Sequence, residues 1–128
     1  MPWPCRLVDG EKVRSGEYRP QVGDMWYMPW LLEDKQMLDF YCSKEYHRDW
    51  LGKRPPLMVV LPNGCKWIID SPWRGDPGSS GWTVTGEAPN ITVMPSINFV
   101  GSYHGWLQNG VFSNDVEGRQ IPPVREAS

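Results

Sequence analysis

The 128-residue sequence lacks the features that nucleic-acid-binding and membrane proteins need. Its longest run of basic residues is Lys53-Arg54 and its formal net charge is −2, so no basic patch is predicted for a phosphate backbone. No stretch reaches the roughly 18 uncharged apolar residues of a membrane-spanning helix. The sequence therefore disfavours nucleic acid and membrane as partners.

Cysteine is scarce, and the three cysteines, Cys5, Cys42 and Cys65, are widely spaced. The first residues, Met1-Pro2-Trp3-Pro4, have neither the basic nor the apolar region of a signal peptide. An odd number of cysteines without an export signal favours free thiols over a disulfide framework. We therefore expect a cytoplasmic protein.

Histidine is scarcer still, which restricts the metal and catalytic sites that can be considered. A zinc site could draw on Cys42, His47, Cys65 and His104. Only Cys42 and His47 are near in sequence, whereas structural zinc sites usually present two pairs of ligands roughly two to four residues apart.

Cys42 or Cys65 could also act as a nucleophile with His104 and Asp115, but nothing selects that trio. The spacing favours free thiols, no metal and no cofactor.

The length suits a single domain over residues 1–128, with one modest core. Eight Trp and five Tyr make that core aromatic-rich, because each aromatic side chain buries about 150–250 Å². The stretches 1–19 and 122–128 are polar, and we predict that both ends are loosely held.

Two Asn-Gly pairs, Asn63-Gly64 and Asn109-Gly110, lie between runs of β-branched and aromatic residues. Since Asn-Gly accommodates positive φ, they predict two β-hairpins, over residues 57–70 and 103–113. Alternating apolar and polar residues predict further strands over 81–86, 90–94 and 96–100. The predicted fold is mainly β (β-rich α+β), a compact antiparallel sandwich or twisted sheet.

One segment has helical character. Residues 37–50 predict one short helix, in which Ser43 could act as a cap. Pro55 and Pro56 require that the helix has ended by then.

The aromatic residues supply the candidate binding site. Tyr103, His104 and Trp106 lie between two glycines, and Trp30 ends the aromatic segment 24–30. We predict that Trp106, Tyr103, His104 and Trp30 bind a partner, and that at least one of the three aromatics is an exposed anchor. The alternative is that His104 satisfies a hydrogen bond within the sheet while Tyr103 or Trp106 packs inward.

Other aromatic residues are assigned to the core. Trp67 and Trp82 lie on predicted strands and should be buried. In segment 24–30, Trp26 and Met28 alternate with other large apolar residues, so one of two apolar sets must face outward or meet another element.

Several strings along the chain carry a family resemblance: Ser43-Lys44-Glu45-Tyr46, Leu61-Pro62-Asn63-Gly64, Pro95-Ser96-Ile97 and Tyr103-His104-Gly105, with residues 50–57, 81–89 and 115–119. Over about residues 23–119 the sequence resembles a group of small proteins encoded by tailed bacteriophages and prophages. They form a family of unknown function whose members often carry the label "ammonia monooxygenase". Copper or non-heme iron oxygenation needs more histidine ligands than the two in this chain supply.

The resemblance implies a phage origin, and the unassigned aromatics indicate binding. We interpret the chain as a phage-encoded, non-enzymatic protein-binding module in the host cytoplasm, such as an inhibitor or modulator of a host or defence protein. One alternative is a virion-associated structural component, which should form a homo-oligomer or need a phage protein as partner. The other is a small metal- or thiol-dependent enzyme.

Overall fold

The computed structural model describes residues 2–73 and 79–119. The elements in chain order are β1 (Trp3–Pro4), β2 (Arg6–Leu7), α1 (Gly10–Ser15), β3 (Asp24–Tyr27), a 3-10 helix (Pro29–Glu33), α2 (Lys35–Tyr41), α3 (Lys44–Asp49), β4 (Leu57–Val60), β5 (Lys66–Ile68), β6 (Thr83–Glu87), β7 (Asn90–Phe99), β8 (Tyr103–Gln108) and β9 (Val111–Phe112). Across these ranges, every helix is too short or too polar to cross a bilayer.

The strands form two sheets. The five-stranded sheet has the order β1-β9-β8-β7-β6, and the four-stranded sheet has the order β2-β3-β4-β5. The β2–β3 pair is parallel, and the other strand pairs are antiparallel. The strand-rich, two-sheet architecture confirms the predicted mainly β fold.

The four-stranded sheet has apolar side chains on both faces. On β3, Met25 joins the core shared with the five-stranded sheet, whereas Trp26 joins a second core with the helices. Neighbouring residues of a strand point to opposite faces, which explains this division. The second core also contains Met28, Leu31, Leu38, Cys42, Tyr46 and Val60. The protein therefore has three layers. Segment 24–30 buries residues of both apolar sets, Met25 on one face and Trp26 and Met28 on the other, because the helices cover the second face.

Both predicted hairpins are confirmed. In the β4–β5 turn, Gly64 has a φ of 88° and its N–H donates to Leu61 O at 2.8 Å. In the β8–β9 turn, Asn109 and Gly110 have φ values of 47° and 75°. Two successive positive φ angles define the type I′ turn that joins antiparallel strands with least distortion.

The single helix predicted over residues 37–50 is wrong in extent, because two helices, α2 and α3, occupy this region. Ser43 separates them with an extended backbone, at φ −81° and ψ 171°. Its N–H donates to Asp70 O at 2.8 Å, and its hydroxyl accepts from Tyr46 N at 3.2 Å. Ser43 therefore acts as the predicted cap, but of the second helix only, and its bond to Asp70 interrupts the helix.

The strands predicted over 90–94 and 96–100 form one strand, β7. Its pairing with β8 changes register between Val93 and Ile97, so a bulge replaces the expected break.

The first 19 residues, for which the sequence predicts a loosely held end, contain two short strands and a helix. Strand β1 pairs with β9, β2 pairs with β3, and Asp9 caps α1 through a bond from Glu11 N. Two-residue strands depend on their partners, so their own sequence carries almost no strand signal. The predicted loose end at 122–128 lies outside the described residues.

Candidate functional site

The five-stranded sheet has an outer face, on the side away from the core that it shares with the four-stranded sheet. Strand β8 shows the division most clearly. Tyr103, Gly105 and Leu107 are buried and point inward, whereas the intervening Trp106 is exposed and His104 is half-buried. The outer face is therefore the surface on which two of the four predicted binding residues lie.

An apolar patch lies on the outer face and consists of Met94, Trp106 and Val111. These side chains are 57%, 37% and 39% exposed. The pairing of Val93 with Leu107 places Met94 next to Trp106, and Val111 follows on β9. Three neighbouring strands thus present one large apolar side chain each.

Tyr103 is fully buried, so the structure places this predicted binding residue in the core and not on the outer face. Its ring packs edge-on against Phe112, with 6.2 Å between ring centroids, and its hydroxyl donates to Ser113 O at 2.7 Å. Burial raises the pKa of this phenol. A Cβ at Gly105 would collide with the Tyr103 hydroxyl, which explains the glycine between His104 and Trp106.

His104 is the centre of a hydrogen-bonded chain on the outer face. Its Nε2 lies 3.1 Å from Ser96 Oγ, and its Nδ1 lies 3.0 Å from Glu117 Oε2. The other carboxylate oxygen of Glu117 lies 3.0 Å from Arg119 Nη2. The structure thus has the arrangement given above as the alternative, with His104 bonded within the sheet and Tyr103 packed inward.

Asp115 fixes the segment that carries Glu117. Its carboxylate accepts from His104 N at 2.7 Å and from Arg119 N at 2.8 Å, while Val116 N donates to His104 O at 2.7 Å. Burial acts to raise the pKa of Asp115, but these backbone N–H groups and the Arg119 guanidinium outweigh it and hold the pKa below its usual value. Residues 115–119 are therefore held against β8, which presents Glu117 to His104.

Ser96 is positioned by the bulge in β7 and by a tryptophan cluster. Trp82 Nε1 donates to Ser96 O at 3.3 Å. The Trp82 ring stacks on Trp73 at 5.3 Å and meets Trp67 edge-on at 5.1 Å. Trp67 and Trp82 are partly buried against the shared core, less completely than predicted. The tryptophan cluster therefore anchors the backbone at Ser96, and the Ser96 hydroxyl bonds to His104.

Trp30 lies in the helical layer, away from the outer face. It is half-buried against the second core, and the Arg14 guanidinium lies 4.7 Å from the centroid of its ring. The four predicted binding residues therefore do not form one surface.

The four candidate metal ligands are dispersed. Cys42 is buried in the second core, His47 lies 3.6 Å from Asp39, Cys65 follows the β4–β5 turn and His104 is on the outer face. In the part of the chain that the structure describes, no three His, Cys, Asp or Glu residues form a group that could hold a metal ion. Burial raises the pKa of Cys42 to about 12, which keeps its thiol protonated and a poor nucleophile or ligand.

Sequence reasoning missed Ser96, whose hydroxyl oxygen lies 3.1 Å from His104 Nε2. The sequence allows a thiol and Asp115 as partners of His104, but the ring bonds to the Ser96 hydroxyl and to Glu117, and Asp115 contacts only the backbone N–H of His104. A serine inside a strand gives no signal by itself, and only the β7–β8 pairing brings it to the histidine.

The fold and the site define a small, three-layered, β-rich protein with a histidine-centred polar cluster beside an exposed apolar patch. In comparisons with known proteins, no family model, no curated protein and no solved structure matched the chain.

Proposed function

We propose that the chain is a phage-encoded protein-binding module that acts in the host cell by contacting a host or phage protein through its outer face. The observation that carries the proposal is the apolar patch of Met94, Trp106 and Val111, which are 37–57% exposed on three hydrogen-bonded strands. The phage origin rests on the family resemblance of the sequence.

The physical argument concerns the energy of these exposed side chains. A tryptophan that lies partly in water can bury further apolar area in a partner's pocket, and binding hot spots are enriched in tryptophan. Because β7, β8 and β9 fix the backbone beneath the patch, its ordering costs little on binding. An inhibitor or modulator of a host or defence protein needs such a preformed contact surface.

The test is a comparison of Trp106→Ala with Phe40→Ala. Phe40 is 53% exposed on α2, in the helical layer, so it is a matched exposed aromatic outside the patch. Each substitution should lower the free energy of unfolding by only about 1 kcal/mol, against about 3–5 kcal/mol for a buried aromatic. Trp106→Ala should also weaken partner binding by about 2 kcal/mol, or roughly 30-fold.

The measurement is quantitative affinity capture from cells infected with a phage that encodes the chain, followed by Kd measurement with the purified partner. A protein retained by wild type and by Phe40→Ala, but lost with Trp106→Ala, supports the proposal. Equal capture by both variants contradicts the assignment of the outer face. Capture of capsid or tail proteins alone identifies the chain as a virion component.

A further inference from the structure

We propose that Ser96 is a nucleophile activated by His104, so that the outer face carries an acyl-transfer site that cleaves carboxylic esters with an apolar acyl group. The site does not depend on the binding function proposed above, because its chemistry can be measured without a partner.

The first step of the argument is the tautomer of His104. An ionised Glu117 carboxylate can only accept hydrogen bonds, so the 3.0 Å contact with Oε2 places the imidazole proton on Nδ1. The lone pair of Nε2 then faces Ser96 Oγ at 3.1 Å and accepts its hydroxyl proton. Serine, histidine and carboxylate are thus connected in the order that general-base activation of a hydroxyl requires.

The second step is the fixed position of the three groups. Ser96 and His104 belong to paired strands, and Trp82 holds the backbone carbonyl of Ser96. Arg119 takes the other oxygen of Glu117, which leaves Oε2 for the imidazole. Glu117 and Arg119 are therefore positioning residues, because they act through His104.

The third step is access. Ser96 and His104 are half-buried and remain within reach of solvent. Met94 precedes Ser96 by two residues, and Trp106 follows His104 by two residues on the same face. An apolar acyl chain lying on the patch would bring its carbonyl carbon close to the serine hydroxyl, which determines the substrate class.

The reaction is a two-step hydrolysis. Ser96 Oγ bonds to the ester carbonyl carbon while His104 Nε2 takes the hydroxyl proton; the bond to the alcohol then breaks, and the same nitrogen returns the proton to the leaving oxygen. In the second step His104 takes a proton from water, whose oxygen attacks the acyl-serine carbon. The bond to Ser96 Oγ breaks, the serine regains its proton, and the carboxylic acid leaves.

The same contacts could serve only to tie residues 115–119 to β8, and loss of stability in a His104 variant would not separate the two roles. The test therefore uses a chemical readout. An alkyl fluorophosphonate forms a covalent adduct with an activated serine hydroxyl and releases fluoride, and intact-mass spectrometry of the full chain measures the adduct.

We expect one adduct per chain, on Ser96, with hydrolysis of p-nitrophenyl butyrate that the adduct abolishes. Ser96→Ala should remove labelling, and His104→Ala or His104→Gln should slow it about 100-fold or more, the usual contribution of a general base. His104→Gln keeps hydrogen-bonding atoms towards Ser96, so it provides a second variant for the comparison. Ser102→Ala is the matched control, since its hydroxyl bonds to Asn63 instead of a histidine.

Two results would overturn the proposal. One is a folded wild-type protein that stays unlabelled under conditions that label a known serine hydrolase completely. The other is a Ser96 adduct that forms equally fast in the folded His104 variants, since the imidazole would then have no part in activating the hydroxyl.

Discussion

Replacement of Asp70 with Asn should lower the free energy of unfolding by about 3–5 kcal/mol. The Asp70 carboxylate is 1% exposed and accepts from Arg54 Nη1 at 2.8 Å, from Arg54 Nη2 at 3.0 Å and from Leu57 N at 3.0 Å. Arg54 is itself only 9% exposed, and its guanidinium lies 4.5 Å from the centroid of the Trp50 ring. Asn keeps the shape of the side chain but leaves a buried cation without a counter-charge.

Arg48→Ala is the matched control for this prediction. Arg48 pairs with Glu45 at 2.6 Å and with Asp49 at 2.9 Å, but its side chain is 64% exposed. Exposed pairs contribute about 0–1 kcal/mol because water screens them. Urea unfolding of both variants at neutral pH gives the two free energies. A loss below about 1 kcal/mol for Asp70→Asn would mean that Arg54 finds another partner or reaches solvent.

The second large effect is expected at Gly110, where substitution by Ala should cost about 2–5 kcal/mol. Its φ of 75° is already unfavourable for a residue with a Cβ, by about 1–2 kcal/mol. In addition, the new Cβ would lie 2.5 Å from Pro89 O, so the β6–β7 connection and the β8–β9 turn would have to separate. Strain and collision therefore add at this position.

Gly101→Ala separates these two contributions. Gly101 has a φ of 80°, yet a Cβ there would meet nothing within 4 Å. It should show the backbone strain alone, so thermal or urea unfolding should find Gly110→Ala the more destabilised of the two. Equal losses would show that the contact with Pro89 relaxes without cost.

The hairpins could be predicted because their signals are local. An Asn-Gly pair determines its own turn, and the β-branched and aromatic residues beside it determine the strands, whatever the rest of the chain does. The break between α2 and α3 could not be predicted in the same way. It depends on the bond from Ser43 N to Asp70 O, which joins residues far apart in the sequence.

The orientation of β8 follows from the alternation of apolar and polar residues along it. Leu107 and Gln108 differ most in polarity, so alternation already places Leu107 and Tyr103 on one face and Trp106 on the other. The contact between Ser96 and His104 had no such signal, because it requires both the β7–β8 pairing and the bulge that shifts its register. Residue type alone does not locate Trp30, because its place against the second core depends on how the helices pack on the four-stranded sheet.

The short strands at the start of the chain have a consequence for the order of folding. Strands β6 to β9 are neighbours in sequence and form their pairs through short connections. By contrast, β1 joins the five-stranded sheet and β2 joins the four-stranded sheet, with only Cys5 between them. The pairing of Trp3 with Phe112 closes a loop that spans nearly the whole described chain. Loop closure costs more conformational entropy as the loop becomes longer, so this pairing has a large entropic cost. We therefore expect the C-terminal strands to assemble early, and the two sheets to be joined through residues 3–7 in the last step.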